Sequence, residues 1–324
     1  MMREQASRWL DTTHAGDCRV LLSRMLADGV QVQTCITSPP YFGLRCYLPD
    51  HHPDKHREIG CGSTPEQYVA QLVEVFQIVR RLLADDGTLW IVIGDSYAAN
   101  GASGLNTGWA ERSRRYAGGG RRAAQARNRT RKSVPAGLKA KDLIGVPWML
   151  AFALRRDGWY LRQEVIWHKP NPMPESVTDR CTRAHESVFL LSKRARYYFD
   201  VQAIAEPVAP STVLRLSQPR LAQQSGSTRV QGKTNGNMPT VGCLDMRRRR
   251  SVWTIATRAN RGPHNATYPA ALIGPCILAG SRAGDVVLDP FMGSGTTGTT
   301  ALRLRRHFVG CELVRSYIDP THLR

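Results

Sequence analysis

No apolar run in this sequence is long enough to span a membrane. The longest, L-I-G-V-P-W-M-L-A-F-A-L at 143–154, reads as a core helix entered through Pro147. The first ten residues, M-M-R-E-Q-A-S-R-W-L, lack the apolar stretch of a signal peptide. A cytoplasmic location is expected, with no membrane partner. No C-x-x-C pair occurs among the eight cysteines, which stand at 18, 35, 46, 61, 181, 243, 276 and 311. That scatter predicts reduced thiols, not a disulfide framework. Cys46, His51, His52, His56 and Cys61 lie close together but match no paired zinc-ligand spacing. No metal is expected there, and the segment reads as a polar loop.

Acid is also scarce. The 324 residues carry 45 Lys and Arg against 26 Asp and Glu, a formal charge of +19. The excess is uneven. Arg112 to Lys141 holds eleven basic residues and no acid; 207–262 holds ten against the single Asp245. Neither stretch has the apolar periodicity of a packed element. Two such runs in one enzyme-sized chain favour contact with phosphates, so nucleic acid is the expected partner.

The remaining sequence alternates strands and helices. T-C-I-T (34–37), T-L-W-I-V-I-G (88–94), L-R-Q-E-V-I-W (161–167), E-S-V-F-L-L-S (186–192), D-V-V-L-D (285–289) and H-F-V-G-C-E-L (307–313) read as strands. A helix is expected over 63–87. Thr64 caps it, Pro65 opens it, Gln67 completes a capping box and Gly87 ends it. Its apolar stripe is Tyr68, Leu72, Phe76, Val79 and Leu83. Another helix is expected over 295–304. The fold class is therefore α/β, a doubly wound, mostly parallel sheet.

Two strand exits carry chemistry. I-T-S-P-P-Y-F-G (36–43) leaves a strand through two prolines, which fix φ and remove backbone donors. A hydroxyl, Ser38, precedes Pro39 and Pro40, and an aromatic, Tyr41, follows them. D-V-V-L-D-P-F-M-G-S-G-T (285–296) passes from a strand through a turn with Gly293 and Gly295 to a helix start. There backbone approaches a ligand closely and free N–H groups are on offer. No Walker lysine follows. Glu312, one strand later, is placed to accept from ribose hydroxyls. Together these predict a nucleoside cofactor with no required phosphate.

The motifs, in their order, resemble the β-class S-adenosylmethionine-dependent DNA amino-methyltransferases. They are T-S-P-P-Y at 37–41, H-N-A-T-Y-P at 264–269 and D-P-F-M-G-S-G-T at 289–296. The resemblance implies a Rossmann-like fold with circularly permuted motif order. It implies catalytic portions at 1–96 and 142–206, a basic loop at 97–141, a target-recognition region at 207–262 and a donor-binding portion at 263–324. It places Pro290, Phe291, Gly293, Ser294, Gly295 and Thr296 around the donor's methionine part, and Asp289 near its amino group. Glu312 goes to the ribose, Asp17 to the adenine, and Tyr268 and Pro269 beside the donor.

The resemblance also implies a target amino group whose N–H bonds meet the Ser38 side chain and the Pro39 carbonyl. Pro40 stiffens the turn, and Tyr41 stacks on the base flipped from double-stranded DNA. Arg121, Arg122, Arg129, Arg131 and Lys132, with Arg247, Arg248, Arg249 and Arg250, are the expected phosphate contacts. Serine in the first motif position resembles the N4-cytosine branch; adenine N6 stays open, since adenine enzymes more often carry aspartate there but not always. Carbon-5 chemistry would need a cysteine after proline, and Pro275-Cys276 lies in an expected helix before the donor motif. An inactive DNA-binding regulator is the other class, although every motif residue is present. An RNA or protein amide methyltransferase would more often show N-P-P-Y. A cognate restriction endonuclease, a monomeric or homodimeric state and a bacterial or phage source also follow from the resemblance.

Overall fold

The computed structural model describes residues 6–44, 46–61, 64–98, 134–218, 246–257 and 267–318. The strands are β1 (Thr12–Ala15), β2 (Val32–Thr37), β3 (Leu83–Ile93), β4 (Tyr160–His168), β5 (His185–Ser192), β6 (Glu206–Pro207), β7 (Met246–Arg247), β8 (Val252–Thr254), β9 (Val286–Asp289) and β10 (His307–Glu312). The helices are α1 (Cys18–Ala27), α2 (Pro65–Leu82), α3 (Val146–Arg156), α4 (Pro210–Leu216), α5 (Ala270–Gly280) and α6 (Thr296–Arg303).

Eight strands form one sheet in the order β1-β10-β9-β2-β3-β5-β4-β8. All neighbours are parallel except the pairs that β5 makes with β3 and β4. The expected mostly parallel α/β sheet is thus present. β3 is central, and Leu89 to Ile93 are each at most 1% exposed, as a strand covered on both faces requires. Two compact units are formed, one by Met1–Tyr198 with Ser251–Arg324 and one by Phe199–Arg250. In the smaller, β6 and β7 pair antiparallel, Glu206 opposite Arg247.

α2 starts as its sequence dictates. Thr64 accepts from the Gln67 N–H at 3.2 Å, and Pro65 opens the helix. Its end differs from the expectation. The helix stops at Leu82, and Leu83 already pairs with Val32 in the sheet. Gly87 instead serves a close approach: a Cβ there would lie 3.0 Å from the Gln33 carbonyl. The register shift between Val32 and Thr34 accommodates the extra residues of β3.

The cysteine expectation needs correction at one place. Cys46 and Cys61, with Cα atoms 6.0 Å apart, are joined as a disulfide. Folding of the 46–61 loop brings them together, which spacing alone does not reveal. Glu58 lies beside them, but its carboxylate already accepts from Lys55 Nζ at 2.7 Å and from the Tyr47 N–H.

Candidate active site

The sheet order gathers the motifs. β9 leads through α6 to β10 on one side, and β2 leads through α2 to β3 on the other. The connections diverge between β9 and β2, where Thr34 faces Val287 and Cys35 faces Leu288. A ligand crevice belongs at such a switch point, outside the carboxyl ends of the strands. Ser38 to Tyr41 leave β2 there, and Pro290 to Gly295 leave β9. Glu312 ends β10, and Ala15 of β1 lies opposite it, with Asp17 two residues on.

A buried carboxylate fastens these loops. Asp289 is 0% exposed. Its Oδ1 accepts from Thr37 Oγ1 at 2.6 Å and from the Phe291 N–H at 3.0 Å. Its Oδ2 accepts from Thr297 Oγ1 at 2.5 Å and from the Tyr268 hydroxyl at 2.9 Å. Burial pushes its pKa up, and these donors oppose the shift. The resemblance implies that Asp289 lies near the donor's amino group. The geometry shows a carboxylate with four protein donors, lying beneath the turn, not on its surface. Tyr268 is half-buried and spends its hydroxyl on this network, while Pro269 is buried at the entry to α5.

Above Asp289 the glycine turn takes a shape few side chains tolerate. Gly293 and Gly295 have φ of +56° and +85°. Pro290 and Met292 are buried; Phe291, Ser294 and Thr296 are partly exposed. Glu312 ties the turn to β10: its Oε2 accepts from the Gly293 N–H at 2.9 Å and its Oε1 from the Val314 N–H at 2.8 Å. Each oxygen keeps further acceptor capacity. Burial pushes the Glu312 carboxyl up to about 7. The sequence reading missed one glycine. Gly298 completes a G-x-G-x-x-G spacing, and a Cβ there would meet the Phe308 ring at 2.8 Å. It lets α6 pack directly on β10.

Asp17 is 8% exposed and caps α1 through the Arg19 N–H at 2.9 Å. It also pairs with the Arg19 guanidinium at 2.7 Å. Burial raises its pKa, but the Arg19 contacts outweigh this and hold it below the usual range.

A glycine turn over a buried aspartate, an acid one strand on and a T-S-P-P-Y loop beside them give the DNA methylase pattern, and the model of the DNA methylase (N6/N4) family matches residues 32–322. The chain belongs to that family. It is 40% identical over 308 residues to the type II methyltransferase M.Cfr9I of Citrobacter freundii, covering 95% of this chain and 85% of that one. It is 44% identical over 282 residues to M.SmaI of Serratia marcescens, covering 87% and 80%. Among solved structures, the PvuII DNA methyltransferase (cytosine-N4-specific) shares the fold with a TM-score of 0.55 at 17% identity, over 94% of this chain and 82% of that one. The S-adenosyl-L-methionine complex of the Thermus thermophilus protein TTHA0409 gives 0.50 at 20% identity, over 94% and 89%.

The methyltransferase uses S-adenosylmethionine, and its residues suit that donor. The positive-φ glycines leave backbone open to a ligand, and Glu312 has acceptor capacity for ribose hydroxyls. The T-S-P-P-Y loop, the candidate catalytic loop, is held from three sides. The Pro40 carbonyl accepts from the Tyr68 hydroxyl of α2 at 2.8 Å. The Gly43 N–H donates to the Gly60 carbonyl at 2.9 Å. Tyr41 donates to Glu186 Oε2 at 2.7 Å. Its ring rests on Gly94, where a Cβ would come within 2.6 Å of Cε2. Burial and the Glu186 charge push the phenol pKa up, against a pull from the Ser38 hydroxyl. Ser38 itself is partly exposed.

Arg121, Arg122, Arg129, Arg131 and Lys132 lie outside the described residues, as do 264–266. The ends of the basic segment are pinned together: the Ala98 N–H donates to the Asp142 carbonyl at 2.8 Å, and the Lys141 N–H to the Ala98 carbonyl at 2.6 Å. Lys139 and Lys141, counted among its eleven basic residues, pair with Asp142 and Asp179. In the smaller unit, Arg247 and Arg250 both pair with Glu206, at 3.0 and 2.9 Å, while Arg248 is exposed and Arg249 is partly buried. Sequence reasoning also missed Gly94, Lys169 and Glu186. The only signal was the W-H-K and H-E pairs at the ends of two strands that face each other.

Proposed function

We propose that this methyltransferase modifies the N4 amino group of cytosine in double-stranded DNA, on a base flipped out of the helix. The observation that carries the choice of cytosine is Ser38. It puts a neutral hydroxyl at the carboxyl end of β2, where the first position of the motif resembles the N4 branch. The donor supplies a methyl group already activated by its sulfonium. The difficulty lies in the amino group, whose lone pair is conjugated with the base ring. Ser38 Oγ and the Pro39 carbonyl accept its two N–H bonds and favour a more pyramidal nitrogen. Acceptors fixed before the reaction stabilise the transition state without reorganisation. The joined loops would hold base and donor side by side and so supply a proximity term.

The basic segment and the Arg247–Arg250 run supply positive charge for the DNA phosphates. The type II relatives make a partner endonuclease part of the same proposal. Digesting DNA methylated by the protein to nucleosides, followed by mass spectrometry, tests the target. N4-methylcytosine is expected; N6-methyladenine would transfer the same site to adenine.

A further inference from the structure

A strand that runs against its neighbours delivers its first residues, not its last, to the edge where the others end. β5 is that strand. Its register sets Ser187 opposite Ile93 and Glu186 opposite Trp167. Glu186 therefore arrives beside the end of β3, where Gly94 supports the Tyr41 ring. Its Oε2 takes the Tyr41 hydroxyl at 2.7 Å, and its Oε1 meets Lys169 Nζ. Lys169 follows β4, and its ammonium lies 4.3 Å from the centroid of the Trp167 ring. The Glu186 and Lys169 side chains are only 16% and 18% exposed.

An ion pair this withdrawn from water gives little net stability, because desolvation offsets attraction. A phenol does not need it either, since water would satisfy its hydroxyl. What the pair does provide is direction. A charge-assisted hydrogen bond at the para position and a glycine against one ring edge hold Tyr41 at two points. Lys169 holds the second Glu186 oxygen, and the Trp167 ring lies against the Lys169 ammonium.

We propose that Glu186 and Lys169 are a positioning pair, fixing the Tyr41 ring before the target base arrives. This rests on Tyr41 being the surface that meets the base. Fixed this way, the ring sets the height at which the amino group meets Ser38. A loose ring would cost base capture and alignment, since small misplacements are expensive in rate.

The test is steady-state methylation of unmethylated genomic DNA with tritiated S-adenosylmethionine. The variants are Tyr41→Ala, Tyr41→Phe, Glu186→Gln, Lys169→Met and the Tyr41→Phe/Glu186→Gln double, each checked for donor binding and thermal unfolding. Tyr41→Phe, Glu186→Gln and Lys169→Met are each expected to lower kcat/KM for DNA by about tenfold, with donor affinity unchanged. The double variant is expected to be no worse than either single, because both remove one contact. The pair is overturned if Glu186→Gln costs as much in the Tyr41→Phe background as alone. It is also overturned if Tyr41→Phe keeps full turnover while Tyr41→Ala does not, which leaves the base-facing role of Tyr41 intact. Full turnover in Tyr41→Ala would remove that role and the pair with it.

Discussion

Thr37 and Asp289 stand 252 positions apart and share a hydrogen bond of 2.6 Å, both fully buried. The bond ties the loop that would hold the base to the turn that would hold the donor. It sits at the switch point of the sheet, where β2 and β9 are paired for only two residues. Side chains therefore complete what the short ladder begins. Thr37→Val keeps the shape and removes the donor. The Asp289 carboxylate, left one partner short, is expected to cost about 1–3 kcal/mol of stability. Urea unfolding measures it, and an unchanged midpoint would contradict this fastening role.

Ser38 contributes differently. It is partly exposed and packs no core. Ser38→Ala is expected to lower turnover roughly 100-fold, as loss of one fixed polar partner of a transition state does. Donor binding, followed by calorimetry, is expected to stay within about twofold, a difference under 0.5 kcal/mol. Equal turnover would remove Ser38 from the chemistry.

Gly94 gives a steric test of the same loop. Alanine there would bring a methyl group to 2.6 Å from Tyr41 Cε2, so the ring must move. Overpacking of this kind costs about 1–3 kcal/mol. Gly94→Ala is expected to lower methylation rate by at least tenfold while donor affinity holds. A variant with wild-type rate would show that the ring position is immaterial.

Much of this site was legible in the sequence, and the reason is local. Pro39-Pro40, Gly293 and Gly295 declare themselves because strand exits with special backbone needs restrict residue type. Glu312 declared itself by its distance from the glycine turn. Other parts depended on pairing. Thr12–Ala15 is a four-residue strand of small and polar residues, visible only through its ladder to β10. Glu186 reads as one more strand-end acid until the antiparallel direction of β5 brings it to Tyr41. Asp289 fell into the donor motif, and only tertiary burial showed that it faces inward to four donors.

The arginine run offers a charge test. Glu206 holds Arg247 and Arg250, and Arg248 is exposed. If Arg248 takes a phosphate, Arg248→Ala is expected to weaken DNA binding similarly for all sequences. The slope of log affinity against log salt is expected to fall by about 1. Fluorescence anisotropy across a salt series measures both, and an unaltered slope would place Arg248 away from the backbone.

With Glu312 at the donor's ribose, donor binding is expected to depend on pH, and the sign follows from the site. Its carboxyl is raised to about 7 by burial. Above that pH it is ionised and accepts from hydroxyls with both oxygens; below it one oxygen carries a proton. Hydrogen bonds from a ribose favour the ionised form. Donor binding therefore releases a proton below pH 7, and affinity is expected to weaken as pH falls, approaching about tenfold per unit for one linked proton. Glu312→Gln is neutral at every pH and is expected to bind weakly with a flatter profile between pH 6 and 8. Calorimetric titration with S-adenosylmethionine in buffers of different ionisation enthalpy reads both affinity and proton release. A wild-type profile as flat as that of the variant would show that Glu312 does not titrate against the donor.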